Sequence, residues 1–135
     1  MKGRIGAGLL AAALAAGVAQ AQDRIGVELN KLESQENACR FYVVTEGSAE
    51  ALESLKLDLV LFGRDGVIAR RLAVELGPLR AESRSVRLFD VAGMSCGDVA
   101  DILVNDVLAC GEGGDPAACL DRLALSSRAD VALVR

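Results

Sequence analysis

Leu55-Lys-Leu-Asp-Leu-Val-Leu-Phe62, then Gly63-Arg64-Asp65-Gly66, then Val67-Ile-Ala-Arg-Arg-Leu-Ala-Val-Glu-Leu76 is the stretch that decides the fold. Leu55, Leu57, Leu59 and Leu61 recur at a period of two. Leucine has good helix propensity, but this alternation puts all four side chains on one face of a strand, whereas a helix would scatter them. Asp65-Gly66 is a hairpin-turn signal, because glycine accepts the positive φ that such turns require. Beyond it Ile68, Leu72, Val74 and Leu76 alternate with Arg71, Ala73 and Glu75. Two alternating runs joined by Asp-Gly predict an antiparallel hairpin.

Outward from the hairpin, further short strands appear. Ile25, Val27 and Leu29 alternate with polar neighbours. Cys39-Arg-Phe-Tyr-Val-Val-Thr45 is rich in aromatic and β-branched residues, with Cys39, Phe41 and Val43 on one face. Ser48–Glu53 reads as a brief helical turn or a loop. Gly77-Pro78 ends the hairpin's second strand, and Ser85–Val91 supplies another, with Val86 and Leu88 on one face and Phe89 and Val91 on the other. After Cys96 the pattern supports both periods. A short helical turn over Asp98–Leu103, capped by Asp98, feeding a strand to Cys110 satisfies them together. The tail from Leu123 to Arg135 reads as a last strand or two short pieces. Six or seven strands separated by regular turn signals predict an all-β, immunoglobulin-like antiparallel sandwich with one short helical turn. There is no tryptophan, so the core Trp of antibody domains is missing.

The N-terminus predicts a destination. Met1–Gly8 carries Lys2 and Arg4 and no acid, Leu9–Val18 is an apolar run, and Ala19-Gln20-Ala21 offers the small residues of a signal-peptidase site. This is the layout of a secretory signal peptide, and the apolar run falls short of the about 20 residues of a stable membrane span. The expected organisation is therefore a signal helix over residues 1–21 and one domain over 22–135, periplasmic or secreted. Gln22 would not accept a lipoprotein's lipid, and Arg4 stands alone, so there is no twin-arginine motif. The whole chain has 15 basic and 19 acidic residues; with Lys2 and Arg4 removed the mature domain is more acidic still. That balance argues against nucleic acid and anionic membrane surfaces as partners.

Four cysteines, Cys39, Cys96, Cys110 and Cys119, in an exported chain predict two disulfides. Cys110 and Cys119 enclose Gly-Glu-Gly-Gly-Asp-Pro-Ala-Ala, a flexible tip whose ends can meet, which leaves Cys39 with Cys96. A core-crossing bridge of the immunoglobulin type would instead pair Cys39 with Cys110 and Cys96 with Cys119. No Cys-x-x-Cys is present, so a structural role is expected rather than a redox one.

Histidine is absent, which removes the commonest general base and metal ligand. With the cysteines bridged, a zinc or thiolate site lacks ligands, and Glu112 with Asp115 is too sparse for calcium. The carboxylate pairs Asp98 with Asp101 and Asp58 with Asp65 read as capping, turn or surface acids, not as a catalytic pair. No catalytic residue, cofactor or metal is expected. One feature suggests a surface. If the four leucines face the core, then Lys56, Asp58, Val60 and Phe62 face outward, and Val60 with Phe62 would form a small apolar docking patch unless another element or a bulge covers them.

The segments Asn37-Ala-Cys-Arg-Phe-Tyr-Val-Val44, Glu53-Ser-Leu-Lys-Leu-Asp-Leu-Val-Leu-Phe62 with Asp65-Gly66, and Ile102-Leu-Val-Asn-Asp-Val-Leu-Ala-Cys110 resemble a group of small exported bacterial proteins of unknown function. Some of that group carry a label referring to a twin-arginine signal, from which this chain departs. The resemblance implies a sandwich fold and an extracytoplasmic compartment. The expectation is a non-enzymatic accessory module that binds or supports another envelope protein. The alternative is a carrier enclosing a small apolar ligand.

Overall fold

The alternating leucines form the central strand of one of two stacked sheets. A computed structural model describes residues 23–111 and 115–135; the expected signal segment 1–21 and the loop residues 112–114 lie outside the described residues. In chain order the strands are β1 (Ile25–Gln35), β2 (Ala38–Glu46), β3 (Leu55–Phe62), β4 (Ile68–Glu75), β5 (Arg84–Ala92), β6 (Asp101–Cys110), β7 (Leu123–Ser127) and β8 (Ala132–Val134). A 3-10 turn over Cys96–Asp98 precedes β6, and a helix, α1 (Pro116–Arg122), precedes β7. One sheet has the order β5-β2-β1-β7 and the other β4-β3-β6-β8.

The two inner faces make the core. Ile25, Val27 and Leu29 of β1 and Cys39, Phe41 and Val43 of β2 meet Leu55, Leu57, Leu59 and Leu61 of β3, Val74 of β4, and Ile102, Val104 and Val107 of β6. Each aliphatic side chain buried in this way stabilises the fold by roughly 1.5–3 kcal/mol before ordering costs. Phe41 stacks on Phe89 of β5, its register partner, with ring centroids 5.1 Å apart. The buried polar groups Thr45, Ser48 and Asp58 all have hydrogen-bond partners, as buried polar groups must.

The β3–β4 hairpin closes through Gly63–Val67. Gly63 N–H donates to Val67 O at 2.9 Å, Asp65 Oδ1 accepts from Val67 N–H, and Gly66 takes φ +81°. At the opposite end Glu75 accepts from Ser54 Oγ, Leu55 N–H and Gly77 N–H. Burial pushes the Glu75 carboxyl up, but the three donors outweigh it and hold it below the usual range.

The bridges are Cys39–Cys96 and Cys110–Cys119, the pairing in which the flexible tip joins its own two ends. Three details differ from the sequence expectation. The helical turn after Cys96 covers Cys96–Asp98, and strand is restored at Asp101. Ile102 and Leu103 sit opposite Leu61 and Val60 of β3, and that pairing overrides their helical spacing. The loop between the last two cysteines carries α1, with the Asp115 carboxylate accepting from Ala117 N–H and Pro116 in the first turn, a standard N-terminal arrangement. Among the described residues the strands number eight, and each sheet ends in a short parallel pairing, β1 with β7 and β6 with β8. The tail forms both as it crosses from one sheet to the other.

Candidate interaction surface

Of the acids named by the sequence, Asp58 and Asp65 are held by hydrogen bonds at separate places in the fold. Asp58, in the middle of β3, is 4% exposed and accepts from Arg71 Nε and Nη2 at 2.9 and 2.8 Å and from Asn105 Nδ2 at 2.9 Å. The Arg71 guanidinium and then the Asn105 amide hold its carboxyl below the usual Asp range. Asp65 lies in the hairpin loop beyond the end of β3, where it caps Val67 N–H. Asp98 belongs to the 3-10 turn, and Asp101 opens β6 opposite Phe62 and Ala132. Among the described residues no three His, Cys, Asp or Glu side chains are grouped as a metal would need.

The outward pair Val60 and Phe62 is not an open patch. Val60 is 6% exposed, because β3 is a central strand and Arg71 and Leu103 flank it in register on either side. Phe62 is half-buried. A bulge between Leu61 and Phe62 places Phe62 opposite Ile68. This moves the apolar surface to the hairpin tip, where Val67 and Ile68 are 62% and 58% exposed. The two residues flank a shallow groove of ≈ 380 Å³ that Arg64, Asp65, Ala69 and Asp98 complete. In the sequence Val67-Ile68 reads only as the start of a strand, because nothing local shows that β4 lies at a sheet edge.

A second apolar surface covers the outer face of the other sheet. Val86 and Leu88 of β5 are 51% and 50% exposed and stand beside Val44 and Tyr42 of β2. Charged rows bound them: Glu46 with Arg84 on one side, and Arg40 with Asp90, joined at 2.7 Å, on the other. Further inward Lys31 lies over the Tyr42 ring, and the Tyr42 hydroxyl donates to Glu33.

The interior offers little room. The space between the sheets, lined by Val27, Phe41, Leu57, Leu59 and Phe89 among others, is ≈ 20 Å³. That admits one water, against the several hundred Å³ of a small-molecule pocket. A groove of ≈ 490 Å³ is a surface depression edged by Arg24, Glu46, Glu82 and Arg84.

No family model matches the chain, and no curated protein matches it. Among solved structures, IrmA from Escherichia coli is similar, with a TM-score of 0.55 at 13% identity over 76% of this chain and 90% of its own. At that identity the likeness extends to the fold alone.

Proposed function

We propose that this chain is an exported, non-enzymatic binding or structural module that docks another envelope protein through the tip of the β3–β4 hairpin. The observation that carries the reading is the exposure of Val67 and Ile68 side by side at that tip, next to Phe62. Contiguous apolar side chains left in water mark contact surfaces more often than isolated ones do. The two disulfides support export, since such bridges persist where thiols are oxidised. Among the described residues no helix is long and apolar enough to cross a membrane. The filled interior gives the carrier alternative no support.

The test is affinity capture from a periplasmic extract with the native chain and with a Val67→Ser/Ile68→Ser variant, followed by mass spectrometry. A protein retained by the first and lost by the second, at equal melting temperatures, supports the reading. Retention by both refutes the tip as the contact. Co-purification of only lipid or metabolite transfers the case to the carrier.

A further inference from the structure

The second surface, around β5, has a self-complementary edge. β5 is an edge strand of nine residues, and its register with β2 runs without a slip from Ala38↔Ala92 to Glu46↔Arg84. Just beyond both ends, Gly47 N–H donates to Ser83 O and Gly93 N–H to Asn37 O, each at 2.8 Å. Hydrogen-bonded pairs alternate along an antiparallel ladder. Ser85, Arg87, Phe89 and Val91 therefore direct their backbone groups at β2, while Arg84, Val86, Leu88, Asp90 and Ala92 direct theirs outward. The Ala92 carbonyl already accepts from Arg70 Nη2 of β4 at 3.2 Å, which fits this parity and closes that end. The open segment is Arg84–Asp90, centred on Arg87.

We infer that this segment pairs with the same segment of a second copy of the chain, antiparallel about a two-fold axis at Arg87. In that register Val86 and Leu88 face Leu88 and Val86 of the second copy, and Arg84 and Asp90 face Asp90 and Arg84. On the outer face the charges then alternate across four strands: Glu46, Arg84, then Asp90 and Arg40 of the second copy. Two such rows flank a continuous apolar band of Val44, Val86, Tyr42 and Leu88 from each copy. Opposite charges and apolar pairs directly across a ladder are both stabilising. A two-fold pairing of this kind closes on itself and hides both edges, which an exposed apolar edge strand otherwise leaves open to aggregation. Neighbouring registers are poorer. Moving the axis to Leu88 puts Arg84 opposite Ala92, whose carbonyl Arg70 holds. Moving it to Val86 puts Glu82 opposite Asp90, two like charges.

The register has one unfavourable row. Arg87 meets Arg87 of the second copy on the inner face, although each guanidinium is drawn to the Pro78 carbonyl of its own chain at 3.4 Å. This gives the proposal a test with two signs. Sedimentation velocity on the purified disulfide-bonded chain, over rising concentration, is expected to show a reversible dimer. Leu88→Lys is expected to weaken it about tenfold, by loss of apolar contact. Asp90→Lys, which sets Lys against Arg84, weakens it as well, and Arg84→Glu with Asp90→Lys recovers part of the loss, since the pair across the seam returns while Glu46 and Arg40 then face like charges within each chain. Arg87→Thr removes the like pair and tightens the dimer about two- to fivefold, a gain that a misfolded variant does not mimic. A native chain and an Arg87→Thr variant that both remain monomeric at every concentration overturn the inference, as does a dimer indifferent to Leu88→Lys. The hairpin tip takes no part in this contact, so its own test stands or falls separately.

Discussion

Removing the two disulfides one at a time should cost the protein unequally, and the structure says by how much. Take Cys39→Ala with Cys96→Ala, and Cys110→Ala with Cys119→Ala, so that neither variant leaves a lone thiol. The first bridge spans 57 residues of chain and the second 9. In the loop-entropy description they stabilise by about 4.2 and about 2.6 kcal/mol, a difference of about 1.6 kcal/mol in favour of the long loop. Loss of sulfur packing offsets a small part of that difference, since Cys110 and Cys119 are both buried, whereas in the first bridge Cys39 is buried and Cys96 only partly so. Local structure separates the variants further. Cys39 sits in a strand paired on both sides, with Ser34 of β1 and Val91 of β5, so β2 stays in its sheet when the bridge is gone. Cys119 lies on α1, seven residues long, too short to persist without tertiary support. Urea denaturation of both variants measures the ranking, and amide exchange should show residues 117–122 opening first in the second variant alone. A second variant as destabilised as the first, or more so, would refute the loop-entropy account. Unchanged exchange in α1 would refute the role given to its bridge.

Two further outcomes follow from single sites. Asp58→Asn should lower stability at neutral pH by about 1 kcal/mol, a small figure because Arg71 is largely exposed and regains water. It should also flatten the acid limb: a carboxyl held below its usual range by Arg71 contributes stability above the ordinary Asp value of 3.8 and loses it as pH falls through the lowered folded value. Melting curves from pH 7 down to pH 2 check both, and parallel acid limbs for the two proteins would contradict the assignment. Gly47→Ala should destabilise by about 1–3 kcal/mol, because a β-carbon there would stand 2.4 Å from the Arg80 carbonyl oxygen, a backbone atom with little freedom to move; urea midpoints read the loss.

Features that depend on neighbours along the chain were legible in the residues alone. The period-two leucines of β3 all reach the core, the Asp-Gly turn reverses the chain, and the nine-residue spacing of Cys110 and Cys119 brings them together. Asp115-Pro116 also carried a readable helix start, which the glycine-rich run before it obscured. The remaining features follow from which strands become neighbours when the sheets pack. Alternation separates Val86 and Leu88 from Phe89 and Val91, but only the position of β5 at an edge, with its other face on Phe41, sends the first pair outward. Val60 looked exposed by the same alternation and is buried, because β4 and β6 supply Arg71 and Leu103 on either side. The parallel pairings of β7 and β8 join residues about a hundred and about thirty positions apart along the chain. Local propensity is silent at such distances, because the pairing energy arises only when the sheets close over a common core. The candidate contact surfaces belong to this second class: an apolar side chain becomes a docking site only where the fold has no strand left to cover it.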